Sequence, residues 1–179
     1  ITVGDLPARS GLGSSSSFTA ALLSALHFYK NDFKDVISVT SETIHVEQTI
    51  LKENVGIQDQ IQVCCGGFNV INIREDSSYS MVSLNQTSEL VQKINDSIIL
   101  VYTGISRFSS SVHQSNQTDV PPGVIETSLK DINTIANIFS KKLVKHEASF
   151  PFFRDLLVQS WNAKLSMFPS SSITEELIS

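Results

Sequence analysis

The chain has 179 residues, of which 41% are hydrophobic and 17% charged, a composition typical of a globular protein that can bury a core. It carries 13 basic and 18 acidic residues, giving a net charge of −5, and has no basic cluster. This charge pattern argues against nucleic acid as a partner. No apolar run approaches the length that crosses a bilayer, so no membrane association is expected either.

A loop rich in glycine and serine leads directly into the first predicted helix. Gly11 and Gly13 precede four consecutive serines, and apolar residues then recur every three or four positions from Phe18 to Tyr29. Backbone amides at the start of a helix have no intrahelical partner and attract anions. The pattern predicts a phosphate-binding loop. A flexible Gly/Ser linker is the alternative, although such linkers seldom run straight into an amphipathic helix.

Two common phosphate motifs do not fit this loop. A Walker A motif requires a lysine followed by serine or threonine after the last glycine, and no lysine follows Gly13. The dinucleotide fingerprint requires a third glycine where this chain has Ser16. A phosphate-binding loop here would therefore belong to a class other than these two.

The sequence Pro-Ala-Arg-Ser-Gly-Leu-Gly-Ser-Ser-Ser at residues 7–16 resembles the second motif of the GHMP kinases, the superfamily of galactokinase, homoserine kinase and mevalonate kinase. Its continuation through Phe18 is most similar to the heptose 7-phosphate kinases of that superfamily. The resemblance implies that the loop wraps the phosphates of ATP. The residues implied in nucleotide binding are Pro7, Ala8, Arg9, Ser10, Gly11, Leu12, Gly13, Ser14, Ser15 and Ser16.

Two carboxylates further along the chain are candidates for catalysis. Glu47 falls on the apolar stripe of a helical segment predicted over residues 35–53, where a buried carboxylate requires a cation, a metal or a salt bridge, unless it is simply exposed. Asp59 follows a glycine turn and precedes a strand-like run at residues 66–73. Taken alone, Asp59 could equally cap a helix.

Together the two acids resemble a galactokinase-type pattern, a helix glutamate followed twelve positions later by the aspartate of Gly-Ile-x-Asp-Gln. The resemblance implies that Glu47 and Ser15, with Ser14 as its rival, hold Mg²⁺ and that Asp59 faces the acceptor hydroxyl. Whether Asp59 would be a true base or an orienting group stays open. If these roles are right, Asp59 and Glu47 should face the same cleft as the start of the first helix.

A third segment, residues 98–107, is predicted to be a buried strand ending at Gly104, followed by a helix that begins near Ser106. The strand followed by Thr-Gly-Ile-x-Arg also resembles the heptose kinases. This makes Arg107 a candidate contact for a substrate phosphate, because the guanidinium offers a planar fork of donors. A surface arginine near a helix start is the alternative.

The sequence predicts three parts. Residues 1–75 are expected to be part of an ATP-binding domain, residues 76–96 a connecting segment with a short helix, and residues 97–179 part of a second domain. The helices predicted in this second domain are at 106–118, 124–147, 150–168 and from about Ser172. The fold class implied by the resemblance is α+β, with part of a ribosomal S5 domain 2-like fold and part of a ferredoxin-like fold. The N-terminal and glycine-rich C-terminal motifs of the family are absent, so the chain is expected to be a fragment without turnover of its own.

The function that these features imply is ATP-dependent phosphoryl transfer to a sugar or sugar phosphate, with ATP and Mg²⁺ as cofactors, in the cytoplasm. The adjacent Cys64 and Cys65 fit a reducing compartment, and the four histidines show no metal-ligand spacing. The alternatives are another GHMP small-molecule kinase and a catalytically silent relative that binds nucleotide or sugar.

Overall fold

The structure is a computed structural model that describes residues 12–84, 88–101 and 120–167. These residues fall into two compact units, the first formed by residues 12–84 and the second by residues 88–101 and 120–167. The elements of the first unit are α1 (Ser14–Tyr29), α2 (Val36–Ile44), a π-helical segment (His45–Ile50), α3 (Gln58–Cys65), β1 (Asn69–Ile73) and β2 (Tyr79–Ser83). Those of the second are α4 (Glu89–Ser97), α5 (Pro122–Val144) and α6 (Phe150–Met167). Helices combined with a two-stranded sheet give α+β content.

The helical segment predicted over residues 35–53 is observed as an α-helix, α2, followed directly by a π-helical segment. Asp35 caps α2, its side chain accepting a hydrogen bond from the Ser38 amide at 2.8 Å. After Ile44 the chain widens into the π-helical segment, in which the Leu51 amide donates to the Val46 carbonyl five residues earlier, at 2.9 Å. The extra residue in this turn lies in the segment that carries Glu47.

The core of the first unit lies where α1, α2 and α3 meet, and its centre contains polar residues. Ile61, Thr40 and Thr43 have no exposed surface. Both threonine hydroxyls donate to the carbonyl four residues earlier, so their polar atoms are satisfied within α2. The apolar stripe that predicted α1 lies on the opposite side: Phe18, Leu22 and Leu26 are about half exposed.

A polar clamp joins the end of α1 to α2. The Nε2 atom of His27 lies 2.6 Å from a carboxylate oxygen of Glu42, and its Nδ1 atom lies 3.6 Å from Asp32. Lys34 in turn pairs with Asp32 at 2.9 Å. These contacts fix the turn between the two helices and hence the position of α2 against α1.

The strand predicted at residues 66–73 is observed as β1, and it pairs with β2 in an antiparallel hairpin in which Ile71 lies opposite Met81. Gly66 and Gly67 have positive φ angles, which end α3 and let the chain turn into β1. β2 was not predicted, because its residues lie in the polar stretch interpreted as a connecting segment. The boundaries predicted for the domains stay a prediction.

The second unit is built on a hairpin of two long helices, α5 and α6. The rings of Phe139 and Phe153 lie 5.1 Å apart across this pair, and the Lys142 ammonium lies 4.5 Å from the Phe152 ring centre. Both helices match the predictions at residues 124–147 and 150–168 to within three residues. In the described ranges, no helix combines the length and hydropathy required to cross a bilayer.

The buried strand predicted from Ile98 onward is wrong for the residues that the structure describes. Ile98, Ile99, Leu100 and Val101 form no regular element, and each is between 64% and 85% exposed. A strand needs a hydrogen-bonded neighbour, and the regular elements described in the second unit are all helices, so none of them offers one. The rest of that segment, including Gly104 and Arg107, and the helices predicted at 106–118 and from Ser172 lie outside the described residues.

Acid should weaken the first unit through the Asp35 cap. The hydrogen bond from the Ser38 amide lowers the pKa of Asp35 from its ordinary value of 3.8. Because the folded chain favours the carboxylate, the stabilisation is present above that ordinary value and is lost as the pH falls through the lowered, folded-state pKa. Asp35→Asn should keep the cap and flatten this acid dependence, whereas Asp35→Ala should lower stability at neutral pH as well.

The measurement is thermal unfolding by circular dichroism at a series of pH values from 7 to below 3. Asp131→Asn, which removes an exposed acid from α5, is the control for the loss of one negative charge. If Asp35→Asn and Asp131→Asn change the loss of thermal stability at low pH equally, the Asp35 cap is not responsible for that loss.

Candidate active site

The start of α1 is an open helix end. Gly13 occupies the N-cap position in the left-handed conformation, with φ of 67°, and no side chain among the described residues caps the helix. The first turn contains no acidic residue. The Ser17 amide is the first to bond within the helix, donating to the Gly13 carbonyl at 2.9 Å. The amides before it point toward the N-terminal end of the helix, where the dipole favours an anion.

Glu47 lies buried beneath this helix end. Only 1% of its surface is exposed, and its Oε2 atom accepts hydrogen bonds from the Ser16 hydroxyl at 2.9 Å and from the Gln60 amide nitrogen. Its other oxygen, Oε1, is buried without a hydrogen-bond partner in the described residues. The π-helical segment thus brings a carboxylate into contact with α1 and α3 at once.

No positive charge from the described residues neutralises Glu47. The ion pairs found in residues 12–84, 88–101 and 120–167 involve other carboxylates. The same ranges contain no group of three or more His, Cys, Asp or Glu side chains that could hold a metal ion. A buried, unpaired carboxylate is costly, and a free carboxylate oxygen is the ligand type that Mg²⁺ prefers. Mg²⁺ binds proteins through one or two carboxylates together with water and substrate phosphates, so a single carboxylate such as Glu47 is within its usual donor set.

Asp59 lies close to the same helix end. It belongs to the first turn of α3, and its side chain is exposed. A Cβ atom placed on Gly13 would lie 4.0 Å from both Cβ and Cγ of Asp59 and 3.7 Å from Val63. No hydrogen bond or ion pair from the described residues reaches the Asp59 carboxylate. An exposed acidic group, without a partner among the described residues, therefore lies beside Gly13.

A network of hydrogen bonds fixes the connection between the two acids. The Glu53 amide donates to the Glu47 carbonyl at 3.0 Å, and the Gln48 side chain donates to the Val55 carbonyl at 2.8 Å. Lys52 adopts a positive φ of 56° at the turn. These contacts hold the loop from the π-helical segment to α3, which sets the position of Asp59 relative to Glu47.

The structure covers part of the predicted site. Gly13, Ser14, Ser15, Ser16, Glu47 and Asp59 all belong to the first unit, and Leu12 is described as an exposed residue. Ser15 is exposed and makes no hydrogen bond to Glu47, whereas Ser16 does. The predicted site residues that lie outside the described ranges are Pro7, Ala8, Arg9, Ser10, Gly11 and Arg107.

Sequence reasoning missed two features of this site. Gln60 was recognised only as the last letter of Gly-Ile-x-Asp-Gln, yet it is 1% exposed and bonded to Glu47. Its position next to Asp59, in the same motif, was the available signal. The π-helical segment had no signal, because its apolar spacing reads as an ordinary helix.

The two cysteines are separate from this chemistry. Cys64 and Cys65 are free thiols, both partly buried, at the end of α3. Burial raises the pKa of the Cys65 thiol, so it stays protonated at neutral pH. A protonated thiol is a poor nucleophile, which favours a packing role for this residue.

The left-handed conformation of Gly13 should make this position intolerant of substitution. Gly13→Ala should lower the free energy of unfolding by about 1 kcal/mol, because a residue with a Cβ is strained at φ of 67° even though the neighbouring atoms leave room for it. Gly56→Ala is the matched control, since no atom lies within 4 Å of its added Cβ and its φ is not positive. Urea unfolding of both variants measures the difference; equal stabilities would show that Gly13 is not strained by a side chain.

Two comparisons with known proteins bear on this site. Residues 1–67 match the family model described as the GHMP kinases N terminal domain, which supports the resemblance seen in the sequence. The chain is also 23% identical over 164 residues to the D-glycero-alpha-D-manno-heptose 7-phosphate kinase of Campylobacter jejuni. The match covers 91% of this chain and 48% of that kinase, so the chain spans about half the length of the curated relative.

Proposed function

We propose that the protein carrying this chain is a GHMP-type kinase that transfers a phosphoryl group from ATP to a hydroxyl of a sugar or sugar phosphate. The observation that carries the proposal is the placement of Asp59 beside Gly13 at the open start of α1, with Glu47 buried under the same helix end. Phosphoryl transfer depends on positioning and charge neutralisation, and this arrangement supplies an anion site, a free carboxylate oxygen and an accessible acid.

Each element of the site has a role in this proposal. The amides at the start of α1, together with the loop at residues 7–16, bind the phosphates of ATP. The exposed Asp59 carboxylate accepts a hydrogen bond from the acceptor hydroxyl and orients it, or removes its proton. Glu47 and Ser15 would hold Mg²⁺, which when bound would neutralise charge on the phosphate oxygens. Ser16 keeps Glu47 in place from the same turn of α1.

The proposed acceptor class follows from the named relative. That protein is a D-glycero-alpha-D-manno-heptose 7-phosphate kinase, and the sequence 98–107 resembles the same subgroup. We propose that the acceptor for this protein is also a sugar phosphate, and that Arg107 binds the phosphate that the acceptor already carries. The proposed fold of the whole protein is the GHMP kinase fold, in which the first unit is part of the ribosomal S5 domain 2-like half and the second is part of the ferredoxin-like half.

The test is a transfer assay on the complete protein that carries these residues. ADP release would be measured with ATP and Mg²⁺ against heptose 7-phosphate, galactose, homoserine and mevalonate, alongside titration of nucleotide with and without Mg²⁺. We expect turnover with the sugar phosphate. Turnover with another acceptor would support the kinase proposal but replace the proposed substrate class. Nucleotide or sugar binding without any transfer would overturn the enzyme proposal in favour of a silent binding protein.

A further inference from the structure

The hydrogen bonds around Glu47 are unevenly distributed between its two oxygens. The Ser16 hydroxyl and the Gln60 amide both donate to Oε2, while Oε1 receives nothing from the described residues. Two donors on one oxygen fix the plane and rotation of the carboxylate. Oε1 is therefore the oxygen that is left buried without a donor from the described residues.

Gln60 has an unpaired atom of its own. Its side chain is 1% exposed, and its Oε1 atom is buried with no hydrogen-bond partner in the described residues. Since Gln60 and Glu47 are bonded to each other, their two unpaired oxygens belong to one buried polar cluster. Two buried acceptors without a donor are costly, and a cation with its bound water would offset that cost.

The position of Gln60 in the chain links this cluster to the acceptor side of the site. Gln60 directly follows Asp59 in the first turn of α3, so a hydrogen bond that holds Gln60 also restrains the backbone that carries Asp59. The neighbouring Ile61 is fully buried, which prevents this turn from shifting. The Gln60–Glu47 bond therefore joins the π-helical segment to the helix that bears the proposed orienting acid.

We infer that Gln60 is a positioning residue for the cation site: its amide holds Glu47 so that Oε1 faces the ion, and its carbonyl accepts hydrogen bonds from water that the ion retains. This inference rests on the proposed function, because it assumes that Glu47 binds Mg²⁺. Mg²⁺ dehydrates reluctantly and keeps several of its waters, so acceptors beyond its direct ligands contribute to affinity.

The experiment measures metal affinity directly, without turnover. Mn²⁺ replaces Mg²⁺ as the probe, and its affinity is determined by water-proton relaxation with ADP at saturating concentration. Gln60→Met, which keeps the length of the side chain and removes both polar atoms, should weaken Mn²⁺ binding by about tenfold or more. Gln62→Met is the matched control, because Gln62 lies on the same helix and uses its amide to bond Gly67 and Asn69 instead. It should leave Mn²⁺ affinity unchanged.

A charge swap separates positioning from simple structural support. Glu47→Gln with Gln60→Glu keeps one carboxylate, one amide and their hydrogen bond, so thermal stability should recover relative to Gln60→Glu alone. Mn²⁺ affinity should stay low, because the charge no longer projects from the π-helical segment. Recovery of both stability and affinity in the swap would overturn the positioning role. Ser16→Ala is a smaller change that removes the other donor and should also weaken Mn²⁺ binding.

The failures of the two proposals are distinguishable. If Glu47→Gln leaves Mn²⁺ affinity unchanged, or the wild-type protein binds no Mn²⁺ with ADP, the metal site itself is wrong and this inference falls with it. If Glu47→Gln weakens Mn²⁺ binding and Gln60→Met does not, the metal site stands and the role of Gln60 is overturned.

Discussion

Asp59→Asn should lower kcat for phosphoryl transfer by about a hundredfold or more, the usual scale for losing a group that accepts or orients a proton. Nucleotide affinity should change little, because the proposal assigns phosphate binding to the amides at the start of α1, and Asp59 lies beside this helix end without a hydrogen bond to it. Asparagine keeps the size of the side chain and loses its negative charge. The change therefore tests the carboxylate alone. Steady-state kinetics and nucleotide titration measure the two effects separately.

The control for Asp59→Asn is Asp76→Asn. Asp76 is an exposed acid in the turn between β1 and β2, where its side chain accepts a bond from the Ser78 amide. Asparagine suits such a turn, so this variant removes one charge from the first unit and should leave transfer unchanged. Full activity of Asp59→Asn would remove that residue from the proposed mechanism.

Glu47→Gln should raise the Mg²⁺ concentration needed for half-maximal activity by at least about tenfold, since removal even of groups that only support a metal ligand has effects of this size. It should also leave the melting temperature of the metal-free protein unchanged or higher. The reason is that Glu47 is a buried charge without a cationic partner in the described residues, and a neutral amide of the same shape relieves that cost. Ser15→Ala should weaken Mg²⁺ binding without this gain in stability.

The measurements are transfer rates over a range of Mg²⁺ concentrations and thermal unfolding in the presence of a chelator. Glu75→Gln, an exposed acid in the turn of the β-hairpin, is the control for charge. A melting temperature that falls sharply in Glu47→Gln, with the Mg²⁺ requirement unchanged, would mean that Glu47 supports the fold and does not bind the ion.

The local features of the first unit were predictable because each follows from neighbouring residues. The spacing from Phe18 to Tyr29 predicted α1, and the serines after Gly13 predicted where it begins. The resemblance of Glu47 and Asp59 to a galactokinase-type pattern predicted two acids near that helix end, and the structure places both beside it. The metal and catalytic roles assigned to these acids stay predictions.

The features that the sequence did not predict depend on partners distant in the chain. β2 forms because β1 supplies a hydrogen-bonded ladder. Its Tyr79 and Val82 favour a strand, but the polar residues on both sides led to its interpretation as part of a connecting segment. The run from Ile98 to Val101 has the composition of a buried strand but no neighbouring strand in the described residues. Ser16 rather than Ser15 bonds Glu47, because the direction in which each hydroxyl points depends on how α1 packs against the π-helical segment.

The π-helical segment has a consequence for how this region could change in evolution. A π turn accommodates one residue more than an α turn, so a single deletion within His45–Ile50 can be absorbed by returning the turn to α geometry. α2, which ends at Ile44 before this segment, would keep its position, whereas a deletion inside α5 would rotate every following residue of that helix by about 100°. Lineages that lose one residue here can therefore retain the fold while moving the carboxylate, which makes this turn a place where binding can be lost without unfolding.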